Sequence, residues 1–178
     1  YGLVEDLRRI KSAQEIGFIR RAVKASEAGM SAAVEATVEG NTEDDVAAAA
    51  YHAMIKAGSE YPGMPPLIAA GYRSGLAHTT WEGHKRIERG DAVMIEIPGT
   101  VNRYHGVFAR AVVIGEPSSR FREIEKAVRE AGDALIAAVR PGITAAEADK
   151  AQRDVIIREG YGDHFLHRSA YGLGIAFP

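Results

Sequence analysis

Apolar positions follow two kinds of pattern along this chain. After Ser12 they recur near helical spacing, as Ile16, Ile19, Val23 and Met30, and Ser12 with Glu15 three residues on reads as a capping box opening the helix. Between residues 90 and 115 the pattern changes to two short apolar runs, Ala92 to Ile97 and Phe108 to Ile114. Gly90-Asp91, Pro98-Gly99 and Asn102-Arg103 supply turn chemistry around and between them, so the stretch predicts a β-hairpin. One acid, Glu96, interrupts the first run. Burying a carboxylate costs free energy unless it is paired, metal-bound or protonated. Glu96 therefore either faces water on an alternating strand or belongs to a site.

The helical part repeats at an offset of 102 residues: Gly40-Asn41-Thr42 matches Gly142-Ile143-Thr144, Ala32 and Ala49 match Ala134 and Ala151, and Gly58 matches Gly160. Each copy predicts a long helix, a short glycine linker and a second helix. Thr42 and Thr144 stand at N-cap positions with Asp45 and Glu147 three residues later, and Gly58 and Gly160 close the second helices. The alternative is two unrelated helical hairpins, since alanine-rich helices match one another easily.

Composition narrows the field. A chain of 178 residues is long enough for one domain with a sizeable core. The net charge of −2, with Lys and Arg scattered, offers no electrostatic footprint for nucleic acid. With no cysteine, disulfides, thiolate zinc sites and cysteine nucleophiles are excluded. No apolar run approaches a membrane span and no signal peptide is visible, so a cytoplasmic location is the expectation. The start at Tyr1 and the stop after a glycine-rich motif lead us to expect an excerpt of a longer protein.

From about residue 10 onward the chain resembles the creatinase, aminopeptidase P and methionine aminopeptidase family, the pita-bread hydrolases. In its metal-dependent members the first hairpin strand carries an aspartate ligand, a second aspartate follows eleven positions later, a histidine stands eighteen positions before the first acid, and a late Gly-His-Gly-Ile-Gly-like motif supplies a histidine ligand. The matching residues here are Glu96, Val107, His78 and Tyr171, the last within Ala170-Tyr171-Gly172-Leu173-Gly174. The frame survives while two ligands become Val107 and Tyr171. The family's remaining carboxylate ligands would lie beyond Pro178.

The resemblance implies an α+β pita-bread fold with a pseudo-twofold helix–helix–sheet repeat, half-repeats at about 10–115 and 118–178 of a single catalytic domain, truncated at its C-terminal end. Ile95-Glu96-Ile97-Pro98-Gly99 and Arg103-Tyr104-His105 point toward the metal-free branch, with ectoine-hydrolase-like enzymes ahead of creatinase. The leading expectation is a metal-independent hydrolase, without cofactor, that cleaves a C–N bond of a small nitrogen-rich metabolite. A homodimer is expected for the parent protein, with no nucleic-acid or membrane partner. The alternatives are a metal-dependent Xaa-Pro aminopeptidase or dipeptidase, and a non-catalytic pita-bread module that binds peptides or proteins.

Glu96, His78 and Tyr171 are the candidate catalytic residues. Glu96 can serve as general acid/base or as a carboxylate nucleophile. His78, in a loop bracketed by Gly71 and Gly75, can move a proton near neutral pH. Tyr171 can donate to a developing oxyanion. Candidate substrate-binding residues are Tyr104, His105, Arg110, His167 and Trp81. Alternation of the second strand would put His105 and Val107 on one face, opposite Tyr104. Arg110 can pair bidentately with a substrate carboxylate. Trp81 walls a pocket or belongs to the core. His164 and His167 have i, i+3 spacing, but Gly160 and Gly162 argue against a helical metal pair there. His52 and His84 read as helix-surface and turn residues.

Overall fold

The computed structural model describes residues 2–76 and 78–175. The chain divides into two compact units, one running up to Glu116 and resuming at Gly172, the other spanning Pro117–Tyr171.

The first unit contains α1 (Leu3–Arg9), α2 (Ala13–Ala36), α3 (Glu43–Lys56), β1 (Leu67–Ala70), a 3₁₀ turn (Gly71–Gly75), β2 (Ala92–Val101) and β3 (Tyr104–Val113). The strands form an antiparallel sheet in the order β1-β2-β3. Capping boxes start α2 and α3 where the sequence places them: Glu15 N donates to Ser12 Oγ at 3.3 Å and Ser12 N to Glu15 Oε2 at 2.6 Å. Thr42 and Asp45 repeat the arrangement. Each reciprocal pair satisfies amides that a first helical turn leaves without partners.

The face α2 buries differs from the apolar stripe. Ala22, Ala25, Ser26, Gly29, Met30 and Ala33 are buried, while Ile16 stays exposed. Small residues win because they let the helix axis come close to the hairpin. A Cβ on Gly99 or Gly106 would run into the α2 backbone at Ala22 or Val23. Met30, Val46, Ala50 and Met54 then pack with Ile68, Val93, Ile95 and Ile97 in one core.

The hairpin also departs from its sequence reading. β2 continues through Pro98-Gly99, and the chain reverses only at Asn102-Arg103, whose φ angles of 48° and 65° are those of a type I′ turn. Proline is tolerated because the last β1 pair is Leu67 with Glu96, so Pro98 lies past the ladder on that side and no bond is lost.

The second unit is a helical pair, α4 (Ser119–Ala138) and α5 (Ala145–Arg158), with a 3₁₀ turn at Gly162–His164. Thr144 and Glu147 cap α5, and Gly160 follows it at a φ of 83°. Ala131, Val155 and Ile156 form its core with Ala134, Tyr161 and Phe165 against them. Among the described residues no helix is long and apolar enough to cross a membrane.

Candidate functional site

Strand register decides which side chains of the hairpin share a face. Val93, Ile95 and Ile97 point into the core with α2 and α3, so Met94, Glu96 and Pro98 point the other way. Ala109 lies opposite Glu96, Val107 opposite Pro98 and His105 opposite Thr100. Glu96 is half-buried on the face turned away from the helices, with Leu67 of β1 beside it.

His78 is exposed, with a φ of 58°, in the segment between β1 and β2. Its neighbour Ala77 lies outside the described residues. The Thr80 hydroxyl donates to the Pro66 carbonyl at 2.9 Å. Pro66 precedes Leu67, the partner of Glu96, so the loop after His78 returns to the level of Glu96 on the sheet.

This loop is held by a pair the sequence reading passed over. Glu43 is fully buried and Arg73 nearly so, and the two are ion-paired. Glu43 accepts from Ala70 N at 2.7 Å and from Glu82 N at 2.8 Å. Arg73 donates to the Thr80 carbonyl at 2.8 Å and meets Glu82 at 3.1 Å. Hydrogen bonding to Glu43 raises the guanidinium pKa further above its ordinary value. The one sequence signal was Glu43 in a first helical turn, which reads as an ordinary dipole partner.

The remaining candidates of this unit separate. His105 is buried on the Glu96 face, where its Nε2 accepts from Gly63 N at 3.1 Å. Burial first, then the Arg103 charge, lower its pKa, so the ring favours the neutral form. Tyr104 lies on the opposite face: its hydroxyl donates to Glu15 at 2.7 Å and its ring packs 5.5 Å from Phe18. Arg110 is likewise on the helix side, exposed, with its guanidinium 5.4 Å over Phe108. Tyr104 thus lies on the face opposite that of His105, as alternation of the second strand predicts, and Arg110 shares the face of Tyr104 and not that of Glu96. Trp81 makes an edge contact with Tyr51 at 6.2 Å and packs against the core.

In the second unit His167 and Tyr171 are both exposed, and Arg168 lies 5.6 Å over the Tyr171 ring. Their segment is tied to α5. Arg153 pairs with Asp149 at 2.9 Å and donates to the carbonyls of Phe165 and His167, each at 3.1 Å. Ser169 donates to Asp149 through its hydroxyl at 2.7 Å. Those bonds, from Arg153 first, hold the Asp149 carboxyl far below the ordinary carboxylate range.

The donors do not fit the two-metal centre of the metal-dependent relatives. Such a site needs several hard or borderline ligands converging on two cations. Val107 carries no donor atom and Tyr171 replaces an imidazole. Among the described residues no three His, Asp or Glu side chains are grouped to hold a metal ion.

Comparison with known proteins completes the picture. The chain is 39% identical over 173 residues to a Xaa-Pro dipeptidase of Pyrococcus furiosus, covering 97% of this chain and 49% of the relative. A Xaa-Pro dipeptidase of Pyrococcus horikoshii is 38% identical with the same coverage. Among solved structures, a prolidase from Pyrococcus furiosus superposes with a TM-score of 0.94 at 38% identity, over 98% of this chain and 51% of that one. A Xaa-Pro dipeptidase from Bacillus anthracis gives a TM-score of 0.94 at 32% identity, over 98% and 49%. These matches show the α+β pita-bread fold, and the chain spans about half the length of the relatives it matches. They are Xaa-Pro dipeptidases and a prolidase, whereas the hairpin motifs point first to ectoine hydrolase and creatinase. Residues 17–178 match the metallopeptidase family M24, and the chain belongs to that family.

Proposed function

We propose that the parent protein of this chain is a hydrolase that cleaves the C–N bond of a small Xaa-Pro-type dipeptide. The observation that carries this reading is the 39% identity to a Xaa-Pro dipeptidase across 97% of the chain. Glu96, half-buried on the sheet face away from the helices, is the proposed group that activates water or attacks the carbonyl. His78 is the proposed donor of a proton to the leaving nitrogen. Tyr171 as an oxyanion donor and His105 and His167 as substrate-binding groups are separate proposals, each with its own variant as test. No step passes through a metal, because the donors on this chain do not fit one.

A second reading is favoured by one specific observation. Val107 and Tyr171 stand where the metal-dependent members have ligands, which supports a metal-independent hydrolase of a nitrogen-rich metabolite, ectoine-like or creatine-like. One experiment separates the readings. The full-length protein is assayed with Xaa-Pro dipeptides, ectoine and creatine, with added Mn²⁺ and after chelation. Turnover of Xaa-Pro dipeptides supports the first reading, and turnover of ectoine or creatine alone overturns it in favour of the second. Peptide binding with no turnover of any overturns both and leaves a binding module. The parent protein is further proposed to be a homodimer, a state that sedimentation checks.

A further inference from the structure

We propose that Glu43 and Arg73 are positioning residues for His78, forming a buried clasp on both ends of the loop that carries it. The catalytic consequence rests on the hydrolase reading above, whereas the clasp itself does not. Glu43 takes the Ala70 amide where the chain leaves β1 and the Glu82 amide where the loop ends. Arg73, inside the loop, reaches across to the Thr80 carbonyl and to Glu82. His78 lies between Arg73 and Thr80 in sequence, and the bond between those two closes the segment that carries it.

Two physical points favour positioning over simple stability. Taking two charges out of water is costly, and a buried pair is often no better for stability than well-packed apolar side chains. Here nearly every remaining hydrogen bond of the pair goes to loop backbone, which apolar side chains could not replace. In addition, His78 holds a φ of 58°, a conformation uncommon for a residue with a Cβ. The clasp holds both ends of the loop, inside which the hydroxyls of Ser74 on Gly71 and Thr79 on Leu76 make local turns and that of Thr80 reaches Pro66.

The test uses Glu43→Gln and Arg73→Lys in the full-length protein, with His78→Asn to assign the His78 imidazole signal by NMR. In the folded variants the His78 signal moves while that of His164 stays. With a dipeptide substrate kcat falls by roughly 10- to 100-fold with KM within about threefold, the scale expected when a reacting group is displaced by about 1 Å. A wild-type His78 signal, or a moved signal with wild-type kcat, overturns the proposal. If the wild-type protein turns over no dipeptide, the hydrolase reading fails separately, and the His78 signal alone decides for or against the clasp. If neither variant folds, amide exchange in the wild-type protein decides. Slow exchange at Ala70 and Glu82 supports the clasp, and exchange there as fast as at exposed Gly83 overturns it.

Discussion

Gly99 and Gly106 face each other across the β2–β3 ladder, and one hydroxyl from α2 joins them. Ser26 Oγ accepts from Gly99 N at 2.6 Å and donates to the Gly106 carbonyl. Both glycines are there because α2 passes directly over them, and a methyl on Gly106 would collide with the Val23 backbone. Gly106→Ala is therefore expected to lose about 1–3 kcal/mol through overpacking. Ser26→Ala is expected to lose a similar ~1–3 kcal/mol, because the buried Gly99 amide is left without its partner. Urea unfolding measures both, and a loss under about 0.5 kcal/mol for Gly106→Ala would count against the close approach of α2.

Glu96→Gln keeps the shape of the side chain and removes its charge. If Glu96 performs general acid/base work, turnover by the full-length protein falls by ~10²–10⁴-fold, with more lost if it is the nucleophile. The melting temperature stays close to wild type, because the side chain lies outside the helix-packed core. Steady-state kinetics and thermal unfolding check this together, and near-normal turnover by a folded Glu96→Gln protein would falsify the assignment.

The Tyr104 hydroxyl and the Ser12 amide hold the Glu15 carboxyl down to about 2 from an ordinary 4.5. A carboxyl lowered on folding adds stability that is complete above its unfolded value and is lost as pH falls through its folded one. The Glu15 contribution is thus expected to fade between about pH 4.5 and 2. Tyr104→Phe removes the largest cause, so an NMR titration of Glu15 should show its pKa climbing back toward 4.5. An unchanged titration would sink the link.

His105 carries the opposite kind of group with the same sign of effect. Its pKa is lowered from 6.5 on folding, mainly by burial, so the unfolded chain binds the proton more readily than the folded one. Stability is then complete above about pH 6.5 and declines as pH drops through the folded value. His105→Gln keeps an acceptor for the Gly63 amide but cannot titrate. Denaturant unfolding at pH 7.5 and 5.5 should show a smaller pH-dependent loss in this variant than in wild type. Equal losses would show that other groups carry the effect.

Local signals made much of this protein legible from its residues. Ser12, Thr42 and Thr144 with their acids three residues on mark helix starts, because a cap is satisfied within one turn and needs no partner from elsewhere. Gly58 and Gly160 mark helix ends for the same reason. The hairpin and its acid also stand out in the apolar pattern. Proximity in sequence is enough for all of these.

Other features depend on groups far apart in the chain, and only the tertiary structure decided them. Pro98-Gly99 reads as a turn until β1 is seen to end its pairing at Glu96 and α2 to lie over Gly99. Alternation separates Tyr104 from His105 already in the sequence, but only the register, with Arg110 opposite Ile95, puts Arg110 on the helix side. Glu43 and Arg73, thirty residues apart, carry no local signal that pairs them. Packing of α3 against the end of β1 takes both out of water, and burial leaves each the other's charge and the loop backbone as partners.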